Sequence, residues 1–364
     1  MSGLPMWAYA AALCTRRGVS RRKAGGDLLR LDADVAWEEA GGNDETEVAQ
    51  LYESCVENGV RVVTVQDPDF PSPLFFSGGV PILFVRGSLS VLGQRRVGII
   101  GTRTPTPSGV YTARDFGEQL AAHGVAVVSG LAKGIDGAAH DGMRARHEMH
   151  PGDGAAGRPI AVVGSGLDIV YPKANRKLWE WVGECGVLLS EYPPGAPAEA
   201  HHFPQRNRII ASLSEIIVVV ESRTTGGSMI TVREAIRRGV DVHAVPGSPR
   251  VASAGGTNLL IQQGCGTVTD ATDILAALSL EHSRTDLRRV DDREHPESGD
   301  LDVLEACSNG PVTLDQLMIA TGRELSSIAV SLGRLHAQGW VMEERGWWEA
   351  LLLGRGRHAG YCIT

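Results

Sequence analysis

The sequence predicts an α/β fold built on a doubly wound, mostly parallel sheet, preceded by a small helical module and followed by a small winged helix. Three observations predict it. Val/Ile-rich runs recur between Val97 and Val245 without polar alternation, the pattern of strands covered on both faces. Helical patterns such as Ser108–His123 and Ser228–Arg238 fill most of the gaps, and strands alternating with helices imply parallel pairing. At 364 residues the chain exceeds what one hydrophobic core usually serves, so two or three domains are expected.

Residues 1–60 read as short helices broken at Gly25-Gly26 and Gly41-Gly42. Short strands follow at Arg61–Val65 and Ile82–Val85, separated by the turn-rich Asp67–Pro73. The buried-type strands lie at Val97–Gly101, Val125–Gly130, Ile160–Gly164, Val187–Ser190, Ile216–Val220 and Val240–Val245. From Ser283 to Asp300 the chain turns polar and mixed in charge, which marks a linker. Beyond it, Leu301–Ser308, Thr313–Thr321 and Ser326–Gln338 are helical patterns, with turns at Asn309-Gly310-Pro311 and Gly322 and a capping-box spacing from Thr313 to Gln316. Apolar runs at Trp340–Met342 and Trp347-Trp348 around Gly346 suggest a hairpin, which completes a winged helix-turn-helix. The domains are therefore 1–60, 61–282 and 301–364, with 283–300 as linker. The recognition helix would present Ser326, Ser327 and Arg334, little positive charge for reading DNA; a protein-contact module fits equally well.

Composition narrows the class. With 43% apolar and 21% charged residues the chain can build cores and is not a disordered one. No apolar run approaches the ~18 residues of a membrane span. The apolar stretch Leu4–Cys14 is followed, not preceded, by Arg16, Arg17, Arg21, Arg22 and Lys23, the reverse of a secretion signal. Six widely spaced cysteines exclude zinc ribbons and thioredoxin-type motifs and suit reduced thiols in a cytoplasm. A net charge of −8 argues against coating nucleic acid by bulk charge. That charge is uneven. Residues 32–58 carry nine acids and no Lys or Arg, whereas His201–Gly264 carries seven arginines against four acids, a bias toward oriented bonding to phosphate or carboxylate.

Ligands of open parallel sheets bind beyond the carboxyl ends of the strands. Those ends here carry Gly101-Thr102-Arg103, Ser129–Asp136, Gly164-Ser165-Gly166 with Tyr171-Pro172-Lys173, Glu221–Ser228, and Pro246-Gly247-Ser248. Small residues admit a ligand to the backbone, hydroxyls and amides donate, and Arg103, Lys133 and Lys173 supply charge. Nucleotide fingerprints fit poorly: Gly164-Ser165-Gly166 lacks its third glycine, and no P-loop occurs. His147-Glu148-Met149-His150 is one residue too short for a zinc protease motif and reads as part of a surface loop ending at Gly157. His140, at i+4 from Asp136, reads as a core or capping histidine before an acid/base partner. The most specific segment is His201–Ile210. There a Pro followed by Arg206-Asn207-Arg208 at a helix start suits a phosphodiester, and Phe203 a stacked base. A second reading of the same segment has the arginines bridging to acids of the sheet edge and Phe203 in the core.

Taken in order, Gly101–Arg103, Val128–His140, Gly164–Pro172, Ser190–Gly195, Phe203–Ile210, Gly227-Ser228 and Ala244–Gly247 resemble the DNA-processing protein A (DprA/Smf) family over about 175 residues. The resemblance implies an extended Rossmann-like domain flanked by a SAM-like or helix-hairpin-helix-like module, here degenerate and acidic, and a winged helix. It further implies a cytoplasmic homodimer, without enzymatic activity, metal or cofactor. Such a protein binds and shields single-stranded DNA and helps load a RecA-class recombinase in natural transformation, recombination and repair. Arg103, Lys133, Lys173, Arg206 and Arg208 would hold phosphates. Gly101, Thr102, Ser129, Gly130, Gly227 and Ser228 would cradle them, and Asn207 and Phe203 would meet sugar or base. Leu259, Leu260 and Ile261 are the dimer candidates. Three departures stand out: His147–Gly157 looks like an insertion, Gly227 replaces the family's usual Ser, and the N-terminal module is degenerate and acidic. The alternative is a nucleotide phosphoribohydrolase of the lysine-decarboxylase-like group. Its hallmark is broken here, because Gly255-Gly256-Thr257 is followed by Asn258-Leu259-Leu260 with no Glu.

Overall fold

Runs of buried aliphatic residues build a nine-stranded sheet in a computed structural model that describes residues 3–16, 18–75, 79–285, 296–308, 312–338, 340–344 and 346–350. The strands are β1 (Arg61–Thr64), β2 (Ile82–Gly87), β3 (Arg96–Ile100), β4 (Ala126–Ser129), β5 (Pro159–Val163), β6 (Val187–Ser190), β7 (Ile216–Val219), β8 (Asp241–Ala244) and β9 (Gly266–Thr267). Their order is β1-β2-β6-β5-β4-β3-β7-β8-β9. β2 pairs antiparallel with β1 and β6, and every other pair is parallel. The doubly wound, mostly parallel sheet expected from sequence is thus present. The two-residue β9 had no pattern long enough to read.

The helices are α1 (Met6–Thr15), α2 (Arg21–Leu28), α3 (Ala33–Glu39), α4 (Glu45–Glu57), α5 (Ser72–Phe75), α6 (Pro107–Ala122), α7 (Ile135–Met149), α8 (Arg176–Cys185), α9 (His202–Leu213), α10 (Ser228–Arg237), α11 (Gly255–Gln262) and α12 (Ala271–Thr285). Helix α6 starts where Thr106 accepts from the Gly109 amide over 3.1 Å and Pro107 supplies a first-turn residue that needs no donor. Strand residues alternate between two cores. Ile99, Ile216 and Val218 pack with α6, α7 and α12, whereas Ile100, Ile217 and Val219 pack with α9, α10 and α11. Both faces are therefore covered, as parallel sheets require.

Two compact units divide the chain, Met1–Ser279 and Leu280–Thr364. The first 60 residues belong to the first unit: Leu13, Leu28, Trp37 and Cys55 share one core with Phe84, Trp179 and Leu188. Their apolar residues pack both on one another and on the sheet, so weak periodicity concealed a docked layer. Helix α7 runs to Met149, so His147 and Glu148 are helical rather than part of the expected surface loop. Helix α12 runs to Thr285, into the expected linker, of which 286–295 lie outside the described residues.

In the second unit, α13 (Leu301–Ser308), α14 (Leu314–Thr321) and α15 (Leu325–Ala337) precede the antiparallel pair β10 (Val341–Glu344) and β11 (Trp347–Ala350). The Thr313–Gln316 capping box forms, and Gly322 ends α14 in the left-handed conformation. Arg334 binds the buried Asp300 with two bonds of 2.8 and 2.6 Å, so the principal cation of the expected recognition helix is matched internally. The turn expected at Asn309-Gly310-Pro311 lies outside the described residues, as do Arg17 and Cys362.

Candidate nucleic-acid interface

The strand order reverses between β3 and β7, and the loops following the parallel strands gather on one edge. The β4–α7 loop is tightly specified. Leu131 adopts φ 53° and Gly134 φ 85°, and a Cβ on Gly134 would stand 2.3 Å from the Thr102 carbonyl. Asn175 secures the loop by donating to the carbonyls of Leu131 (3.0 Å) and Ala132 (3.3 Å). The consequence is that Lys133 is held out at the tip, exposed.

The backbone cradle already holds an anion. Asp136, buried at the start of α7, accepts from the amides of Gly101 and Gly130, the latter over 3.1 Å. Burial pushes its carboxyl above the usual carboxylate range, and the charge of Arg206 opposes that rise. Arg206 is only 4% exposed, donates to the Val162 carbonyl, and fills the space a Cβ on Gly130 would need. Burial pulls its own guanidinium down to about 10. The expected phosphate donors Gly101 and Gly130 therefore bind an internal carboxylate, and Arg206 is committed to the Val162 carbonyl with its charge acting on that same acid. Ser129 and Ser228 are likewise engaged, with Ile99 O at 2.6 Å and Ser222 Oγ at 2.7 Å, and both are buried. The Thr102 amide donates to Glu221 O over 2.7 Å, and its half-buried hydroxyl accepts from the Thr104 amide over 3.3 Å.

Arg208 meets a second internal acid. It donates to Glu191 over 2.6 Å and to the Gly79 carbonyl over 3.0 Å, and Glu191 is almost wholly buried. Arg21, at the start of α2, lies 3.7 Å from the other carboxylate oxygen. Burial pushes Glu191 up, and the two arginines counter it. These two cations, with Tyr192, His201, His202 and Gln205, line an open pocket of about 380 Å³. Arg21 stacks 4.6 Å over the Tyr192 ring, which stacks on His202 at 3.7 Å. Sequence reasoning missed Arg21, Tyr192 and Gln205, since Arg21 sits in the helical module and only the fold brings it to this edge.

The remaining candidates face outward. Arg103, Lys133 and Lys173 are exposed, and among the described residues no acid lies within ion-pair distance of them. Arg103 lies 4.9 Å over the ring of the half-buried Phe203, whose ring is 5.4 Å from the 43%-exposed Tyr171. A surface strip of one guanidinium and two aromatic faces results. Asn207 is half-buried and Gly227 exposed. Helix α9 begins at His202, so Arg206 and Arg208 sit in its second turn, past the positive end the sequence suggested. Leu260 is buried in the core, whereas Leu259 and Ile261 are half-buried.

His140 is fully buried, with Nε2 3.2 Å from Val127 O, so it is a core histidine. Glu199, His201 and His202 bring ligand atoms within 4.8 Å of one another. His202 commits Nδ1 to the Gly164 carbonyl at 3.0 Å, and His201 Nδ1 lies 3.3 Å from Glu199, so protein partners account for the group. No helix among the described residues is long and apolar enough to cross a membrane.

Fold and edge together define the class: an open, doubly wound α/β protein whose carboxyl edge presents exposed cations beside the exposed Tyr171 and the half-buried Phe203. The model of the DNA recombination-mediator protein A family matches residues 61–279, and the chain belongs to that family. It is 32% identical over 335 residues to the protein Smf of Synechocystis sp., covering 82% of this chain and 81% of that one. It resembles the structure of DNA processing protein A from Streptococcus pneumoniae with a TM-score of 0.59 at 31% identity, over 75% of this chain and 93% of that one. A DNA processing protein A from Helicobacter pylori, whose structure concerns its single-stranded DNA binding mode, aligns with a TM-score of 0.53 at 25% identity, over 62% and 98%.

Proposed function

We propose that this protein binds single-stranded DNA along the carboxyl edge of its sheet, shields it, and helps load a RecA-class recombinase during natural transformation and recombinational repair. The strip formed by Arg103, Phe203 and Tyr171, with Lys133 and Lys173 exposed nearby, carries this reading. Exposed cations with no acid in ion-pair distance among the described residues attract a polyphosphate backbone, and the exposed Tyr171 ring beside the half-buried Phe203 accepts bases that a duplex keeps inside. The likeness to the Helicobacter pylori protein supports it. Arg103, Lys133 and Lys173 hold phosphates. Thr102, Asn207 and Gly227 border the path, Phe203 and Tyr171 stack bases, and Arg208 with Arg21 lines a neighbouring pocket. Arg206, Gly101, Ser129, Gly130 and Ser228 position the loops from within.

The role is one of binding, carried out in the cytoplasm by a homodimer in which Leu259 and Ile261 offer apolar surface. The winged helix formed by the C-terminal unit makes no large contribution, because Arg334 is matched by Asp300. The phosphoribohydrolase alternative finds no support: Thr257 is buried and donates to Ala254 O over 3.1 Å. The test is competition between a single strand and its duplex at two salt concentrations, followed by recombinase filament formation on coated strands. Equal affinity for both forms would overturn the reading.

A further inference from the structure

We propose that Cys185, His147 and Arg158 form a reactive thiolate site at the edge of the sheet opposite the strand carboxyl ends, where a hydroperoxide oxidises Cys185 and a small thiol then caps it. Three separate elements converge there. Cys185 closes α8 just before β6, Arg158 immediately precedes β5, and His147 lies in the last turn of α7. Arg158 Nη1 donates to Cys185 Sγ over 3.1 Å and approaches the Cys185 carbonyl at 3.4 Å.

The histidine tautomer follows from its partner. His147 Nε2 lies 2.9 Å from the Gly157 carbonyl, which only accepts, so Nε2 carries the hydrogen. Nδ1 is then left with its lone pair, and the His147 imidazole bears on the charge of the Cys185 sulfur. In the proposed site His147 takes the thiol proton, the resulting imidazolium is held by Gly157 O, and Arg158 stabilises the sulfur. A base oriented by a third group beside a nucleophile is the arrangement that activates a thiol.

Electrostatics agree with the geometry. Burial pushes the Cys185 thiol upward, but His147 and Arg158 outweigh it and hold the thiol below its ordinary value. The Cys185 side chain raises His147 in turn. The buried Cys14 is pushed up to about 12, and Cys55 and Cys307 to about 11. Half-buried Cys265 is also raised by burial. Cys185, His147 and Arg158 are all partly exposed, so small reagents reach them.

The chemistry balances. The thiolate attacks the terminal oxygen of the hydroperoxide, the S–O bond forms, and the O–O bond breaks. The departing alkoxide or hydroxide takes the His147 proton and leaves as alcohol or water. Sulfur loses the two electrons that the peroxide gains, which gives a sulfenic acid. A small thiol then attacks that sulfur, the S–S bond forms, and the hydroxyl leaves with the thiol proton as water. The site lies away from the carboxyl edge, so its test is independent of DNA binding.

The experiment alkylates the reduced full-length protein with limiting iodoacetamide near neutral pH and reads each cysteine by peptide mass spectrometry. Cys185 should react about tenfold faster than Cys265. Hydrogen peroxide followed by glutathione should place a dithiothreitol-reversible adduct on Cys185. In His147→Asn and Arg158→Gln the Cys185 rate should fall by about tenfold while the Cys265 rate holds. Alkylation of wild-type Cys185 no faster than of Cys265, or glutathione spread across other cysteines, would overturn the proposal, and neither result depends on a variant folding.

Discussion

Arg208 donates to the buried carboxylate of Glu191 over 2.6 Å, and the same acid faces Arg21 at 3.7 Å, so one internal anion anchors two cations at the rim of a pocket. Glu191→Gln leaves both guanidiniums without that anchor. The unfolding free energy should fall by about 2–3 kcal/mol in urea titration, because the two guanidiniums lose the buried acid between them. Affinity for single-stranded DNA should rise in the folded fraction, since an opposing charge has left the edge.

Arg206 should behave differently from the exposed cations. Arg206→Ala leaves Asp136 buried beside two amides without its guanidinium, and a loss of about 3 kcal/mol in stability is expected. Unchanged stability together with a weaker salt dependence of binding would return Arg206 to the phosphate contacts.

Phe203→Ala should cost ~1–3 kcal/mol in binding to a single strand, with the slope of log K against log salt unchanged. Tyr171→Ala should act in the same direction, as its ring adjoins Phe203 at 5.4 Å. Equilibrium titration at several salt concentrations reads both effects.

His140 gives a pH signature. Burial holds its imidazole down to about 4 from 6.5, so the unfolded chain takes up a proton that the folded one refuses. Its stabilising contribution is complete above pH 6.5 and is lost as pH falls toward 4. Relative to His140→Gln, the wild type should therefore lose about 3 kcal/mol across that interval. A stability difference independent of pH would show that His140 is protonated in the fold.

The strands were legible because their buried faces follow from both-sided coverage, which needs only local sequence. Arg206 and Arg208 were open to two readings, phosphate ligands or cations bridging to acids of the sheet edge, and local sequence did not decide between them, because the acids that face them stand far away in the chain, on α7 and just past β6. Nothing local in α9 reveals that Asp136 and Glu191 will face it. Arg21 was invisible as a pocket residue for the same reason, since it reaches the edge only once α1–α4 dock on the sheet. Arg103, Lys133 and Lys173 were legible because loops after parallel strands share one edge whatever the strand order.

Salt-dependent binding of a single-stranded oligonucleotide by the combined variant Arg103→Ala, Lys133→Ala, Lys173→Ala tests the account most directly. The three side chains are exposed and without ion-pair partners, so the variant should fold like the wild type. The account predicts much weaker binding and a log K versus log salt slope lower in magnitude by about 2, or ~0.7 for each lost phosphate contact. A variant that keeps both the affinity and the slope of the wild type would contradict it.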